Sequence, residues 1–527
     1  MIRRGMGGLR AATAVGAVVV LAGCGSTVAQ TAGTSARSLG AVTDQNGLAA
    51  PGASVGSAVT AGAGSPGTTN GGSSAGTATS GNQGTAVAPG AGLGPGPASG
   101  GGGAPTGALQ GLGVTATSIS VGIPYFTNGD AYNAAAGAAV KNGDPRADWQ
   151  AVVEDINAHG GITGRKLVAV FHAYDANSTQ PGATQDQAAC SDFTQDHRVF
   201  AVLGRSTDVL DACLQNAGVI HLDAGSIIGP DKKTFEPLPL YFNSTLSQER
   251  MMADEVGVFR RTGYFSAWDY GTGKPGALPV KLGILSLDTP QWERPLESTL
   301  LPALARAGHP VAGTDVVRVH SPKSQAEIAQ SVNDVQGAVL KFRTDGVTHL
   351  ILLDANGSLT LLFAKPAQGQ RYFPRLGINS ASGVQALADQ GVIGNDQLGG
   401  AIGLGWIPSV DLPAAASPKY ATNASRRCLK VMKTYTGNDY TSTAAATAFG
   451  ICDMGNLFSA GVRGAGSRIT STSVRTALES LGTGFAAAAL PEEFYGPARH
   501  DGTQRGFDLQ WSTDCTCALY AGAHEIP

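Results

Sequence analysis

Aromatic side chains are missing from the first 124 residues of this 527-residue chain, since all 33 lie at or after Tyr125. Charge is scarce there too: residues 1–113 hold four arginines and one aspartate, beside 30 of the 74 glycines. Such a segment lacks the bulky apolar surface needed to offset backbone ordering, which excludes a packed core before Val114. From Val114 onward the chain carries 32 basic and 38 acidic residues, a net charge of −6 that argues against nucleic acid as a partner. Its nine histidines are scattered and neither HExxH nor CxxC occurs, so the sequence calls for no metal and no cofactor. The apolar stretch near the N-terminus, Ala11 to Ala22, falls short of the roughly 20 residues that a membrane-spanning helix takes.

What is present at the N-terminus is an export signal. Arg3, Arg4 and Arg10 precede the apolar stretch, and Leu21-Ala22-Gly23-Cys24 follows at its end. "LAGC" looks like a lipobox, in which Cys24 receives a diacylglycerol and the signal, residues 1–23, is removed. Two acyl chains anchor stably, which would tether the protein to the extracytoplasmic face of the cell membrane. Residues 24–113, rich in Gly, Ala, Ser, Thr and Pro, read as a flexible linker with a reach of roughly 50 Å. Two G-x-S-x-G matches around Ser54 and Ser74 fall inside it, without the strand and helix that a nucleophile elbow needs.

Apart from Cys24, six cysteines remain, an even number in a compartment where disulfides form. Cys190 with Cys213, and Cys428 with Cys452, are the pairs expected, the first bridge contributing about 3 kcal/mol in the loop-entropy model and the second joining two helical segments. Cys515 and Cys517 close a very small ring or serve as partners for other cysteines.

Beyond Val114 short apolar runs alternate with amphipathic segments. Strands are expected at "ISVGIPYF", "KLVAVFHAYD", "VFAVLG" and "VIHLDAG", with helices between them. The alternation restarts after "YFNST" with "VKLGILSLD", "VAGTDVVRV", "VTHLILLD" and "RLGIN", separated by helices beginning near Gln291, Ser324 and Ser358. The fold class is α/β, with two doubly wound parallel sheets. Ligands of such sheets bind beyond the C-terminal strand ends, so two facing sheets offer a cleft between lobes.

The stretch "EDINAHGGITGRKLVAVFHAYDANS", residues 154–178, resembles the type 1 periplasmic binding proteins, the leucine/isoleucine/valine-binding family of ABC importers. The shared pattern is a helix ending I/L-N-x-x-G-G-I-x-G, kept here at Ile156, Asn157, Gly160, Gly161, Ile162 and Gly164. "DHRVFAVLG", the Cys190 and Cys213 pair, "STAAATAFGICDMGNLFSAGVRGAG" and "GPARHDGTQRGFDLQW" extend the likeness over nearly all of 114–527. The resemblance implies discontinuous lobes, 114–245 with 406–485 and 246–405 with 486–527, joined by a three-segment hinge crossing near 245, 405 and 485. It also implies a monomer that closes on a small polar ligand such as an amino acid, carboxylate or amide, and presents it to a membrane ABC permease, without catalysis.

Cleft residues are sought where strands end. In the first lobe these are Phe126 and Asn128, then Arg205, Ser206 and Thr207, then Ala224, Gly225 and Ser226. Hydroxyls and N–H groups at a helix start suit a carboxylate, and Arg205 adds charge; helix capping by Ser206 and Thr207, or an ion pair at Arg205, explains the same residues. In the second lobe Trp292 stands near the place where the family has an aromatic over the ligand, and a core indole is the other account. Asp354 with Asn356 suits a ligand ammonium or caps the following helix. Two other classes stay open: a cell-surface sensor or receptor domain, favoured by the long linker, and an exported hydrolase, for which no nucleophile, base and orienter stand at a recognisable spacing.

Overall fold

The structure is a computed structural model that describes residues 110–128, 144–176, 178, 180–224, 227–321, 325–354, 357–440 and 444–527. Cys24, Gly225, Ser226 and Asn356 lie outside the described residues. Gln110 to Gly113, the end of the expected linker, are docked: the Gln110 side chain donates to the Ser467 carbonyl at 3.0 Å and accepts from the Ile469 N–H at 3.1 Å.

The first sheet is wholly parallel. It contains β1 (Ser118–Thr127), β2 (Lys166–Asp175), β3 (Ala201–Leu203), β4 (Ile220–Asp223) and β5 (Tyr241–Asn243), in the order β2-β1-β3-β4-β5. Ile119, Val121 and Ile123 alternate along β1 and are fully buried, each contributing on the order of 1.5–3 kcal/mol by leaving water. Helix α1 (Pro145–Ala158) starts with its N-cap Asp144 accepting from the Ala147 N–H and with proline at the first helical position. Its end explains the glycine motif. Asn157 clamps the next strand, donating to the Leu167 carbonyl at 2.9 Å and accepting from the Leu167 N–H at 2.7 Å. Gly161, at φ +72°, leaves no room for a side chain, because a Cβ there would lie 2.0 Å from the Arg165 carbonyl oxygen. Helices α2 (Gly182–Ser191) and α3 (Asp208–Asn216) are joined by the Cys190–Cys213 disulfide.

After β5 the chain leaves this sheet through residues 243–250, alongside 500–504. The Asn243 N–H donates to the His500 carbonyl, and Asp501 accepts from the Ser247 N–H and the Arg250 guanidinium at 2.9 and 3.0 Å. Helix α4 (Gln248–Arg261) then packs on the second sheet. That sheet has β6 (Leu282–Leu287), β7 (Val316–Val319), β8 (His349–Leu353), β9 (Arg375–Asn379), β10 (Ile402–Gly405), β11 (Arg505–Ser512) and β12 (Cys517–Glu525), ordered β12-β11-β10-β9-β8-β6-β7. The first five are parallel to one another; β11 runs antiparallel to β10 and forms with β12 an antiparallel hairpin on the edge, its turn closed by the Cys515–Cys517 disulfide. Those two cysteines are therefore partners of each other.

Between β10 and β11 the chain returns to the first sheet. Helices α8 (Asn423–Thr436) and α9 (Ala444–Gly464), tied by Cys428–Cys452, pack on α1, and α9 also meets β4. Among the described residues no helix is long and apolar enough to cross a membrane.

Candidate functional site

The C-terminal ends of β1 and β3 open into a recess of about 520 Å³ counting its mouth. Pro124, Tyr125 and Phe126 line it from β1, and Gly204 and Arg205 from the turn after β3. Pro145 and Trp149 come from α1, and Thr447, Ile451 and Met454 from α9. The helical contributions follow the 3.6-residue period, at spacings of four on α1 and of four and three on α9, so each helix turns one face to the space. Two of the expected site residues, Phe126 and Arg205, stand in this wall.

Arg205 has a positive φ of 46°, rare for a residue with a side chain, and turns its guanidinium inward over Tyr174 and Phe126, 4.3 and 5.1 Å from the ring centres. Its Nε donates to Asp186 Oδ1 at 3.1 Å, and the two side chains are 5% and 1% exposed. Burial pulls the guanidinium pKa down, while Asp186 and Tyr174 more than offset that and leave it above the ordinary value. The ion pair is thus a buried one.

Ser206 and Thr207 hold the loop in place. The Thr207 hydroxyl accepts from the Leu210 N–H at 3.1 Å as the N-cap of α3, and the Ser206 hydroxyl donates to Asp211 Oδ2 at 2.6 Å. On its other oxygen Asp211 faces His221 Nδ1 at 3.2 Å, and His221 Nε2 meets the Gly204 carbonyl at 3.0 Å. Burial opposes the imidazolium, yet Asp211 and the Gly204 carbonyl, one on each ring nitrogen, raise its pKa above the usual histidine value. In this order the serine leans on the carboxylate and the histidine turns no lone pair toward it, the reverse of an activated nucleophile. Asn128, exposed and at φ +60°, donates to Asp175 at 2.9 Å, and Ala224 is buried with its carbonyl against Gly450 of α9.

The second-lobe residues lie elsewhere. Trp292 is fully buried in the core, on the first turn of α5 (Pro290–Pro295), and is not among the residues lining the recess. Asp354 is fully buried and accepts from the Thr360 N–H and hydroxyl at 2.9 and 3.0 Å, at the start of α7 (Ser358–Gly369). Asp354 is thus held by the helix it starts, whereas Trp292 is a core indole whose buried N–H finds no hydrogen-bond partner among the described residues. The α5 residues that reach the first lobe are the neighbours of Trp292: Gln291 donates to Asp208 at 2.8 Å, and Arg294 grips Asp231 with two bonds of 2.7 Å. Burial, then the neighbouring Asp211, raises the Asp208 pKa, with the Gln291 bond opposing. Sequence reading missed Trp149, Asp186, Arg294 and the α9 face; only the 447, 451, 454 spacing carried a local signal.

No family model and no curated protein matches the chain. Solved structures do. A possible leucine/isoleucine/valine-binding protein from Rhodopirellula baltica is similar at 14% identity and a TM-score of 0.54, covering 77% of this chain and 97% of its own. A solute-binding protein of an ABC transporter from R. palustris, in complex with 4-hydroxybenzoate, gives 14% and 0.54 over 78% and 98%. A type 1 periplasmic binding protein from Bordetella pertussis gives 15% and 0.53 over 76% and 99%. The fold is that of the type 1 periplasmic binding proteins.

Proposed function

We propose that this chain is an extracytoplasmic solute-binding lipoprotein, anchored through Cys24, that closes two lobes on a small molecule and delivers it to an ABC-type permease. The lobes are 114–245 with 406–485 and 246–405 with 486–527, and the mechanism is hinge closure rather than catalysis. One observation carries this reading: the recess opens at strand ends of the first sheet, and α5 of the second sheet reaches the same lobe through Gln291 and Arg294. Strand ends are where open α/β sheets bind ligands, and contacts between the halves are what closure makes. The solute-binding proteins of similar fold support it.

A ligand that binds only the folded protein stabilises it by about 2.7 kcal/mol at a hundredfold excess over its Kd. Melting temperature measured against a panel of small metabolites is therefore the test. A stabilising compound whose binding also shortens the distance between lobes supports the reading. A panel spanning amino acids, organic acids, amides and apolar compounds that leaves the melting temperature unmoved counts against it. The roughly 50 Å linker favours a second reading, a surface receptor without transport, which predicts that no permease subunit is cross-linked to the ligand-loaded protein in cells.

A further inference from the structure

We infer that the first-lobe recess receives an uncharged, ring-sized apolar group of the ligand, and that Asp186 sets this preference by neutralising Arg205; the inference rests on the solute-binding reading. The walls offer the indole of Trp149, the rings of Tyr125 and Phe126, and the side chains of Ile451 and Met454, with Thr447 half-buried among them. Aromatic walls of this kind hold a flat apolar group by offset or edge contacts.

Among the described residues of the lining Arg205 carries the one formal charge, and it is already engaged. Its Nε lies 3.1 Å from Asp186, with both side chains almost wholly out of water and the guanidinium lying over Tyr174. An entering carboxylate would give up its hydration to join a guanidinium that a buried carboxylate already balances, leaving a cluster with a surplus negative charge where water scarcely reaches. An ammonium would meet the guanidinium before the carboxylate behind it. Amino-acid zwitterions carry both handicaps. A neutral ring loses only its hydration shell, which favours transfer into the recess. Asp186, 19 residues before Arg205 and outside the lining, is thus a specificity-determining residue that acts through another side chain.

The test is calorimetric titration of the whole purified chain with p-cresol, benzoate and L-leucine, with melting curves alongside. The expected order places p-cresol at least tenfold ahead of benzoate and L-leucine last. Thr447→Trp, at a partly exposed position where an indole fills the recess, weakens p-cresol at least tenfold with the melting temperature of the free protein held. Asp186→Asn releases the guanidinium and swings the benzoate-to-cresol ratio tenfold or more toward benzoate; should that variant melt early, the Thr447→Trp comparison decides alone. Benzoate ahead of p-cresol in the unsubstituted protein, p-cresol affinity untouched by Thr447→Trp, or no binding of p-cresol overturns the inference. Tight L-leucine binding without p-cresol sinks this inference and leaves the solute-binding reading standing, whereas silence from these probes and from the metabolite panel sinks both.

Discussion

Arg294 is the residue whose loss should most directly loosen closure. Its Nε and a terminal nitrogen hold both oxygens of Asp231 at 2.7 Å, a bidentate pair that joins a helix on the second sheet to the segment after β4 of the first. Asp231 is wholly buried, while the Arg294 side chain is 35% exposed, so the pair sits between two limits. Exposed pairs are worth roughly 0–1 kcal/mol and removing one partner of a fully buried pair costs roughly 3–5 kcal/mol, which puts Arg294→Met at about 2 kcal/mol. After that substitution the Thr234 hydroxyl still serves Asp231, but the second carboxylate oxygen loses its partner in a buried place. If the pair forms only when the lobes close, about 2 kcal/mol lowers the closed-to-open ratio roughly 30-fold. Spin labels at Val168→Cys on β2 and Leu340→Cys on α6 (Gln325–Thr344), a helix that packs against β7 of the second sheet, are at exposed positions and report that ratio as a distance distribution without any ligand. Expected is growth of the longer-distance population in Arg294→Met, and little further change when Asp231→Asn is added. An unaltered distribution with a lowered melting temperature refutes the reasoning, because it means the pair persists in both states.

Three further outcomes are expected. Cys24→Ala moves the protein from the membrane fraction to the medium, and recovery in membranes at the unchanged level removes the lipoprotein reading. Replacing both Cys428 and Cys452 by alanine lowers stability by about 3 kcal/mol in chemical denaturation, since the bridge spans 24 residues; an unchanged midpoint contradicts this. Burial pushes the Glu255 carboxyl up from 4.5 to about 8 against the opposing Asn379 bond, so its contribution is fully present below pH 4.5 and is lost as pH rises through 8. That amounts to about 5 kcal/mol across the interval, and Glu255→Gln should flatten the slope of stability with pH between 5 and 8; a slope as steep as before shows that another group titrates.

How much of this was legible depends on whether the cause was local. The clamp of Asn157 on Leu167 and the glycines after it act within a dozen residues, so the motif "INAHGGITG" announced the turn that the structure contains. The cysteine pairs were readable from compartment and count, and the short apolar strands from their boundaries. The C-terminal hairpin is a different case. Its β11 alternates buried and less buried residues, a visible period of two, but nothing local says that it joins β10 antiparallel and turns a parallel sheet into a mixed one. Placement of the site residues fails for the same reason. On α5, Trp292 has the size of a ligand contact and Arg294 the look of a surface charge, and they stand only two positions apart on a six-residue helix. Which of them meets the other lobe is decided by the side from which β6 packs on the helix, and that side buries the indole and leaves the guanidinium to Asp231. Likewise, Arg205, in the turn after β3, reads as an anion ligand until Asp186 of helix α2 is brought to its Nε. A charge in a sequence carries its sign, but what that charge is able to bind follows from the counter-charge that tertiary packing sets beside it.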